Sequence, residues 1–290
     1  MFDYAQLTAL AAVHRRGSFD LAAADLGLTP SAISQRIKAL EERTGTLLII
    51  RSQPCRATPT GLRLIAHLAQ VALLESGLKD SLPHRYHAPT TLRIALNADS
   101  LATWVIPALA AVPGFLFDLV IDDQDVAQDW LRRGEVAAAI TAVTGPLQGC
   151  DTLSLGALRY RATASPAFMA QWFAHGVNAR ALARAPGLIF SANDRLQTLW
   201  ATQQTGLKSD MPAHTIGSTH GFVDACRSGL AWGMNPEHLV ADHLKAGRLV
   251  ELITNTPLDI PLQWQFSRLT AAAIAPLTAA ILLAAREHLH

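Results

Sequence analysis

Cysteine is scarce in this chain, and the three cysteines that occur form no pattern. Cys55, Cys150 and Cys226 lie far apart among 290 residues, without a CxxC or paired Cys/His spacing. A disulfide framework or a zinc site is therefore not expected, and the predicted location is the reducing cytoplasm. We expect neither a metal ion nor a cofactor.

The sequence also lacks an apolar run that would cross a bilayer and an N-terminal export signal. The longest apolar stretch, 269–285, is interrupted by Pro276 and bounded by Arg268 and Arg286, as in an ordinary core helix. At the N-terminus the first cations follow the apolar residues, whereas a signal peptide has them in front. We therefore expect no membrane association.

The small net charge of +1 conceals an asymmetry along the chain. Residues 1–63 contain eight Lys/Arg and five Asp/Glu, whereas the remainder contains 16 Lys/Arg and 18 Asp/Glu. A mildly basic N-terminal segment followed by a mildly acidic remainder is typical of a protein that binds an anionic polymer at one end.

Residues 1–58, the N-terminal module, predict a winged helix-turn-helix. Apolar residues recur at helical spacing over three segments, about 4–16, 19–26 and 30–44. Ser18 and Thr29 stand before the second and third segments as candidate N-caps. Two strand-like runs around Pro54 then form a hairpin, which beside a helix-turn-helix is a wing.

The third helical segment has the surface chemistry of a helix that enters the major groove of double-stranded DNA. Its apolar stripe leaves short polar side chains and then cations facing outward. A surface helix of any three-helix bundle is the alternative, and the hairpin that follows favours DNA binding. Ser31, Ser34 and Gln35 are the candidate base contacts, and Arg36, Lys38, Arg51 and Arg56 are the candidate phosphate contacts.

Residues 59–89 predict a long linker helix and a hinge. Thr58 caps the helix and Pro59 takes its first position, while Pro83 lies just before the hinge, at 84–90, and Pro89 lies within it. The amphipathic pattern continues to about residue 81, and a helix between two modules has no core of its own against which its apolar face can pack. We expect a homodimer through this helix, and a tetramer if the C-terminal modules also associate.

Residues 90–290, the C-terminal module, predict an α/β fold with a mostly parallel sheet. Strand-like and helix-like runs alternate, and the series starts again near residue 157. We expect two lobes, the first about 90–162 and 266–290 and the second about 163–265, with a ligand cleft between them as in periplasmic binding proteins.

Polar residues cluster where predicted strands give way to helices, which is where open α/β sheets bind ligands. Hydroxyl and N–H groups there suit a carboxylate, and adjacent aspartates suit an ammonium or guanidinium, so together they describe a basic amino acid. A capping role is the alternative for each Ser or Thr. The cluster comprises Asn97, Asp99, Ser100, Thr103, Asp122, Asp123, Thr141, Ser218 and Thr219.

The sequence disfavours two other classes of protein. An enzyme is disfavoured because the sequence has no GxSxG, phosphate loop or paired Cys/His, and His238 and His243 are spaced five apart, which is wrong for two ligands on one helical face. A solute-binding protein would share the cleft, but it would need an export signal and would carry no winged helix.

The N-terminal module resembles LysR-type transcriptional regulators. The resemblance is carried by GSFDLAAADLGLTPSAISQRIKALEERTGTLLIIR and by ATPTG, which opens the linker helix. One departure is Ile49, where the family usually has Phe. The resemblance implies a DNA-binding regulator that contacts RNA polymerase in some cases, and it adds Pro30 to the base-facing positions.

The C-terminal module resembles the ArgP/LysG subfamily, which responds to lysine or arginine and commonly controls basic amino-acid export or metabolism. The matching blocks are NADSLATW, LRRGEV, GALRY and STHGFVDACRSGLAWGMNPE, and Ser191 departs from the usual Asn or Asp. Lysine, arginine and another effector stay open. The resemblance implies effector contacts from Ser100, Thr103, Asp122, Asp123, Thr141, Ser218, Thr219 and Asp224.

Overall fold

The structure is a computed structural model that describes residues 1–79, 89–122, 127–145, 147–207 and 211–290. Its N-terminal module contains α1 (Tyr4–Arg16), α2 (Phe19–Leu26), α3 (Pro30–Thr44), β1 (Ile49–Ile50) and β2 (Arg56–Ala57), and α4 (Pro59–Lys79) follows. The three predicted helices therefore have the predicted bounds, and β1 pairs antiparallel with β2 as the predicted wing.

Local capping chemistry explains where two of these helices begin and end. The Thr29 hydroxyl accepts a hydrogen bond from the Ala32 N–H and opens α3. Gly27 ends α2 at a φ of +63°, a left-handed conformation that glycine adopts without strain. Ser18 precedes α2 as predicted, but within the described part of the chain its side chain makes no capping hydrogen bond.

The linker helix α4 connects the two modules and packs on both. The Thr58 hydroxyl accepts a hydrogen bond from the Gly61 N–H at 3.1 Å, as the capping prediction requires. Leu73 is 2% exposed because it packs into the core of the C-terminal module. The predicted end of this helix near residue 81 and most of the predicted hinge lie outside the described residues.

The C-terminal module has nine strands and nine helices among its described residues. The strands are β3 (Thr90–Leu96), β4 (Phe115–Ile121), β5 (Ala138–Thr141), β6 (Cys150–Ala164), β7 (Gly187–Ile189), β8 (Ala213–Thr215), β9 (Gly233–Pro236), β10 (Val250–Glu251) and β11 (Leu258–Ser267). The helices are α5 (Ala98–Ser100), α6 (Ile106–Ala110), α7 (Ala127–Arg132), α8 (Pro166–Trp172), α9 (Ala179–Leu182), α10 (Leu196–Thr205), α11 (Thr219–Arg227), α12 (Glu237–Lys245) and α13 (Ala275–His288). A π-helical turn, Leu101–Val105, joins α5 to α6, and a 3-10 turn, Arg268–Thr270, follows β11.

One mixed sheet runs through the module in the order β10-β6-β11-β5-β3-β4, with β9 also on β6. β3 pairs parallel with β4 and β5, whereas the pairings of β6 and β11 are antiparallel. The prediction of a mostly parallel sheet is therefore wrong, because the chain crosses between the lobes on two long antiparallel strands. A register shift in β11 between Leu262 and Gln263 interrupts that ladder opposite Gly156, whose φ is +106°.

Large aromatic side chains fill the core that positions the lobes. Trp104, Trp264, Trp200 and Trp232 have no exposed surface, and the rings of the last two pack at an interplanar angle of 53° with their centroids 5.6 Å apart. Among the described residues, no helix combines the length and apolarity that a bilayer crossing requires.

Candidate functional site

The first candidate surface is the outward face of α3. Ser31, Ser34, Gln35 and Lys38 follow the i, i+3, i+4, i+7 spacing, so they share one side of the helix. Ser31, Gln35 and Lys38 are exposed and Ser34 is half-buried. The opposite side is the apolar stripe of Ile33, Ile37 and Leu40, each with no exposed surface. The core thus fixes which side chains α3 presents.

The wing places further cations beside α3. Arg51 lies in the loop between the two short strands, with its guanidinium 5.0 Å from the centre of the Phe19 ring. Arg56 is exposed on β2, while Arg36 is half-buried and Pro30 is exposed at the start of α3. The Cys55 N–H donates to the Gly17 carbonyl at 2.8 Å, which ties the hairpin to the end of α1.

Glu41 connects α3 to the wing. Its carboxylate accepts hydrogen bonds from the Leu48 N–H at 2.8 Å and the Ile49 N–H at 3.4 Å. Hydrogen bonds to a charged acceptor are stronger than neutral ones. The helix and the hairpin therefore form one rigid unit that can present Gln35 and Arg56 together.

The second candidate site is a cavity of about 330 Å³ between the lobes of the C-terminal module. Both lobes and both crossing strands contribute to its wall. Its polar lining comprises Asn97, Asp99, Asp122, Tyr160, Asn193, Asp194, Arg195 and Thr219, and its apolar lining includes Phe190, Leu196, Leu199, Phe222, Met234 and Ile260. Three carboxylates and one guanidinium give the wall an excess of acidic groups.

Asp99 is the most enclosed of these carboxylates. Its oxygens accept hydrogen bonds from the Tyr160 hydroxyl and the Thr219 hydroxyl, each at 2.7 Å. Burial raises the pKa of Asp99, the two hydrogen bonds oppose that rise, and the charge of Asp194 adds to it. Thr219 begins α11 in the second lobe, so Asp99 joins the two lobes across the cavity.

Asp122 and Asp194 line the cavity from opposite lobes. Asp122 follows β4, and its Oδ2 accepts a hydrogen bond from the Trp130 indole N–H at 2.8 Å. The Asp194 carboxylate accepts from the Phe190 N–H at 2.8 Å and from the Leu196 N–H at 3.0 Å. These bonds fix both carboxylates at the wall of the cavity.

The structure brings two of the eight predicted effector residues to the cavity wall. Asp122 and Thr219 line it, and Asp123 lies outside the described residues. The other five stand outside the described lining. Ser100 is buried, Thr103 donates to the Asp99 carbonyl, the Thr141 hydroxyl accepts from the Val143 N–H, Ser218 caps α11 and Asp224 pairs with Arg227 on an exposed helix face.

Tyr160 and Asp194 line the cavity although the sequence did not predict them, and Asp99 lines it although it was placed only in the polar cluster and not among the effector contacts. Asp99 was visible as one of several polar residues after the first predicted strand, but spacing alone did not distinguish it from its neighbours. Tyr160 lies in a strand, where a buried aromatic residue normally indicates core packing. Asp194 lies in a loop after β7 and carried no periodic signal.

Comparison with known proteins gives a consistent set of matches. Residues 4–62 match the model of the bacterial regulatory helix-turn-helix protein, lysR family, and residues 87–290 match that of the LysR substrate binding domain. The HTH-type transcriptional regulator ArgP of Pseudomonas aeruginosa is 43% identical over 294 residues, or 100% of this chain and 98% of the relative. The crystal structure of ArgP from Mycobacterium tuberculosis is similar with a TM-score of 0.84 at 39% identity, covering 100% of this chain and 99% of the other.

A further solved structure is similar over 100% of both chains. It is full-length LysG from Corynebacterium glutamicum with the bound effector Arg, with a TM-score of 0.70 and 35% identity.

Proposed function

Because this chain belongs to the LysR family of DNA-binding transcription regulators, we propose that arginine or lysine binds the interlobe cavity and controls its action on DNA. The observation that carries the proposal is the lining of that cavity, in which three carboxylates face one guanidinium. The C. glutamicum relative with bound arginine supports the same class of effector.

The cavity has the size and polarity for a small cationic ligand. About 330 Å³ is near the lower end of the range for small-molecule sites. Carboxylates from both lobes attract an ammonium or guanidinium group, and Phe190, Leu196 and Leu199 offer an apolar wall to an aliphatic stem. A neutral or anionic ligand would leave the acidic groups uncompensated.

The α-carboxylate of the amino acid needs positive groups, and the second lobe supplies them. Arg195 lines the cavity, and α11 begins at Thr219 on the same wall. The N-terminus of a helix carries partial positive charge and N–H groups that bind anions. An amino acid that contacts Asp122 on one lobe and Arg195 on the other favours the closed arrangement by its differential affinity for it.

A thermal-shift screen of the full chain against all twenty amino acids tests this proposal. A ligand at a hundredfold excess over its Kd stabilises the folded state by about 2.7 kcal/mol, so we expect melting to rise by about 5 °C with arginine or lysine. Glutamate and leucine serve as charge and size controls. A rise with neither basic amino acid contradicts the proposal.

We expect this binding to weaken as the pH falls. Burial raises the pKa of Asp99, so that carboxylate loses its charge at a higher pH than an exposed aspartate does. Protonated Asp99 no longer attracts a cation, and affinity is therefore retained above its pKa and lost below it. Calorimetric titration with arginine over a descending pH series measures the loss. Asp99→Asn removes the titrating group and should flatten the profile.

For DNA, we propose that Pro30, Ser31, Ser34 and Gln35 face bases and that Arg36, Lys38, Arg51 and Arg56 face phosphates. The shared face of α3 and the exposure of Arg56 on the wing support this division. An exposed polar helix face fits the major groove, and cations beside it neutralise phosphates.

Substitutions of Gln35 and Arg56 separate the two roles. Gln35→Ala should weaken binding to the specific site by about tenfold and leave binding to random DNA unchanged. Arg56→Ala should weaken both and lower the salt slope by about one. Arg51 is a poorer choice because its guanidinium also packs on Phe19. Fluorescence anisotropy measures the affinity for the specific site and for random DNA. If Gln35→Ala lowered both affinities equally, Gln35 would not be a base contact.

We further propose that the regulator acts in the cytoplasm, without an enzymatic role, as a homodimer through α4 or a tetramer. A two-fold assembly would place two copies of α3 on a pseudo-palindromic site. Sedimentation of the full chain with and without DNA distinguishes the dimer from the tetramer. Contact with RNA polymerase is a further part of the proposal and is tested by in vitro transcription.

A further inference from the structure

Trp130 on α7 connects the wall of the cavity to the outer edge of the first lobe. Two guanidiniums lie over its indole, that of Arg93 at 5.4 Å and that of Arg133 at 4.9 Å from the ring centre. Cation–π attraction to both favours the observed orientation of the ring. In that orientation its N–H donates to Asp122 at 2.8 Å, and Asp122 lines the cavity.

The two arginines lie where the C-terminal module meets the rest of the chain. Arg93 is on β3, on which α4 packs, and it pairs with Asp118 at 3.1 Å. Arg133 pairs with Glu135 at 2.8 Å across the turn at Gly134. A Cβ added at Gly134 would lie 3.4 Å from the Gln70 side-chain nitrogen of α4. This turn therefore approaches the linker helix closely.

The same two segments reach the N-terminal module. Burial lowers the pKa of His14 on α1, the charge of Arg93 lowers it further and that of Glu135 opposes them. The His14 Nδ1 in turn accepts a hydrogen bond from the Ala57 N–H of the wing at 3.3 Å. The charges of Arg93 and Glu135 therefore act on a side chain that is hydrogen-bonded to the wing.

We infer that Trp130 transmits occupancy of the cavity to the junction between the C-terminal module and the DNA-binding module. The inference rests on the proposed function, because it takes a cationic effector at Asp122 as the signal. In the structure, the Asp122 carboxylate accepts a hydrogen bond from the indole N–H. An ammonium or guanidinium at Asp122 competes for that carboxylate, which releases the ring and, through Arg93 and Arg133, alters the charge near His14 and the approach of the Gly134 turn to Gln70. Coupling of this kind passes through contiguous packed groups with two arrangements.

The test is Trp130→Phe in the full chain, which keeps an aromatic ring beside the two guanidiniums and removes the N–H donor. DNA affinity is measured by fluorescence anisotropy with and without saturating arginine. We expect arginine to change the wild-type DNA Kd by about fivefold or more. The variant without arginine should already show most of that change, and arginine should then alter its Kd by less than about twofold. An unaltered arginine response in the variant would overturn the inference.

Two further variants guard against a general loss of structure. Trp172→Phe is the matched control, since Trp172 is a half-buried tryptophan of the second lobe that stacks near Phe168, and its arginine response should equal that of the wild type. Arg133→Met keeps an aliphatic stem over the ring but removes the ion pair with Glu135. It should also reduce the response, and a full response in this variant contradicts the inference.

If the DNA affinity of the wild type responds to neither arginine nor lysine, the proposed function is overturned. A second measurement, made without effector, then tests the inference separately. Without effector, Asp122→Asn and Trp130→Phe should shift DNA affinity in the same direction, and the double variant should shift it no further than the larger single one. Additive shifts, opposite shifts or no shift at all would show that Trp130 does not connect Asp122 to the junction.

Discussion

Asp99→Asn should lower the affinity for arginine by about a hundredfold and leave the DNA affinity of the effector-free protein unchanged. Removal of one partner from a buried, hydrogen-bonded charge pair costs about 2–5 kcal/mol. Asn can accept the hydrogen bond of Tyr160 or of Thr219 through its carbonyl oxygen, but its amide group cannot replace the second accepting oxygen. The variant thus loses the negative charge and one of the two oxygens that accept from these hydroxyls. Calorimetric titration with arginine gives the affinity directly.

Asp224→Asn is the matched control for this experiment. The same exchange occurs at an aspartate that the sequence also placed among the effector contacts, but the structure puts it on the exposed face of α11, paired with Arg227 at 2.8 Å. Its side chain is 69% exposed, so we expect arginine affinity within about twofold of the wild type. Equal losses at the two positions would place the ligand outside the cavity.

Gly61→Ala should lower the free energy of unfolding of the N-terminal module by about 3 kcal/mol. DNA binding should be lost at temperatures near the lowered melting temperature of that module. An Ala in a helix is normally favoured over Gly by about 1 kcal/mol. Here the added Cβ would collide with the carbonyl oxygen of Leu48 and lie 3.1 Å from the Cβ of Ala57. The Leu48 carbonyl also accepts the Thr58 N–H at 2.9 Å, so the collision moves backbone that joins the wing to α4.

Arginine binding separates a local effect of Gly61→Ala from global unfolding. The cavity lies in the other module, so arginine should still raise the melting temperature of that module in the variant. Gly145→Ala is the control, because a Cβ added there meets no atom of the described residues within 4 Å. Circular dichroism during thermal unfolding, combined with DNA anisotropy, measures both effects. A variant as stable as the Gly145→Ala control would show that the approach of Gly61 to Leu48 is not tight.

The N-terminal helices were predictable because the signals that define them are local. Apolar spacing marks the buried stripe of α3, and Thr29 and Gly27 stand at the residues where helices begin and end. Each signal lies within a few residues of the structure that it specifies. Ser18 is the exception, since the residue type permitted a cap whose hydrogen bond the described structure does not contain.

The cavity was only partly predictable because its groups come from distant parts of the chain. Tyr160 is 61 residues from Asp99, and Thr219 is 120 residues from it. The sequence indicated the strand ends that contribute residues, and Asp122 and Thr219 are among them. It did not indicate which polar residue of a turn points inward. Asp99 does so, whereas the Thr103 hydroxyl bonds back to a backbone carbonyl.

Whether the strands pair parallel or antiparallel was not predictable, for a related reason. The alternation of strands and helices is the same whether the chain returns beside its previous strand or crosses to another lobe. In the described structure, β3, β4 and β5 follow the parallel βαβ rule, and β6 and β11 depart from it because each serves both lobes. The sequence pattern identifies the strands and helices, whereas pairing between strands that are distant in sequence decides whether neighbouring strands run parallel or antiparallel.

The interrupted ladder between β6 and β11 limits how the lobes can move. Two hydrogen-bonded strands resist shear and stretching, but a bulge is a place where a ribbon bends and twists with little loss of pairing. The register shift at Leu262 and Gln263, opposite Gly156, supplies such a place. We therefore expect the two lobes to bend and twist relative to each other at this point. A small rotation there displaces the parts of a lobe that lie far from it more than the parts that lie near it.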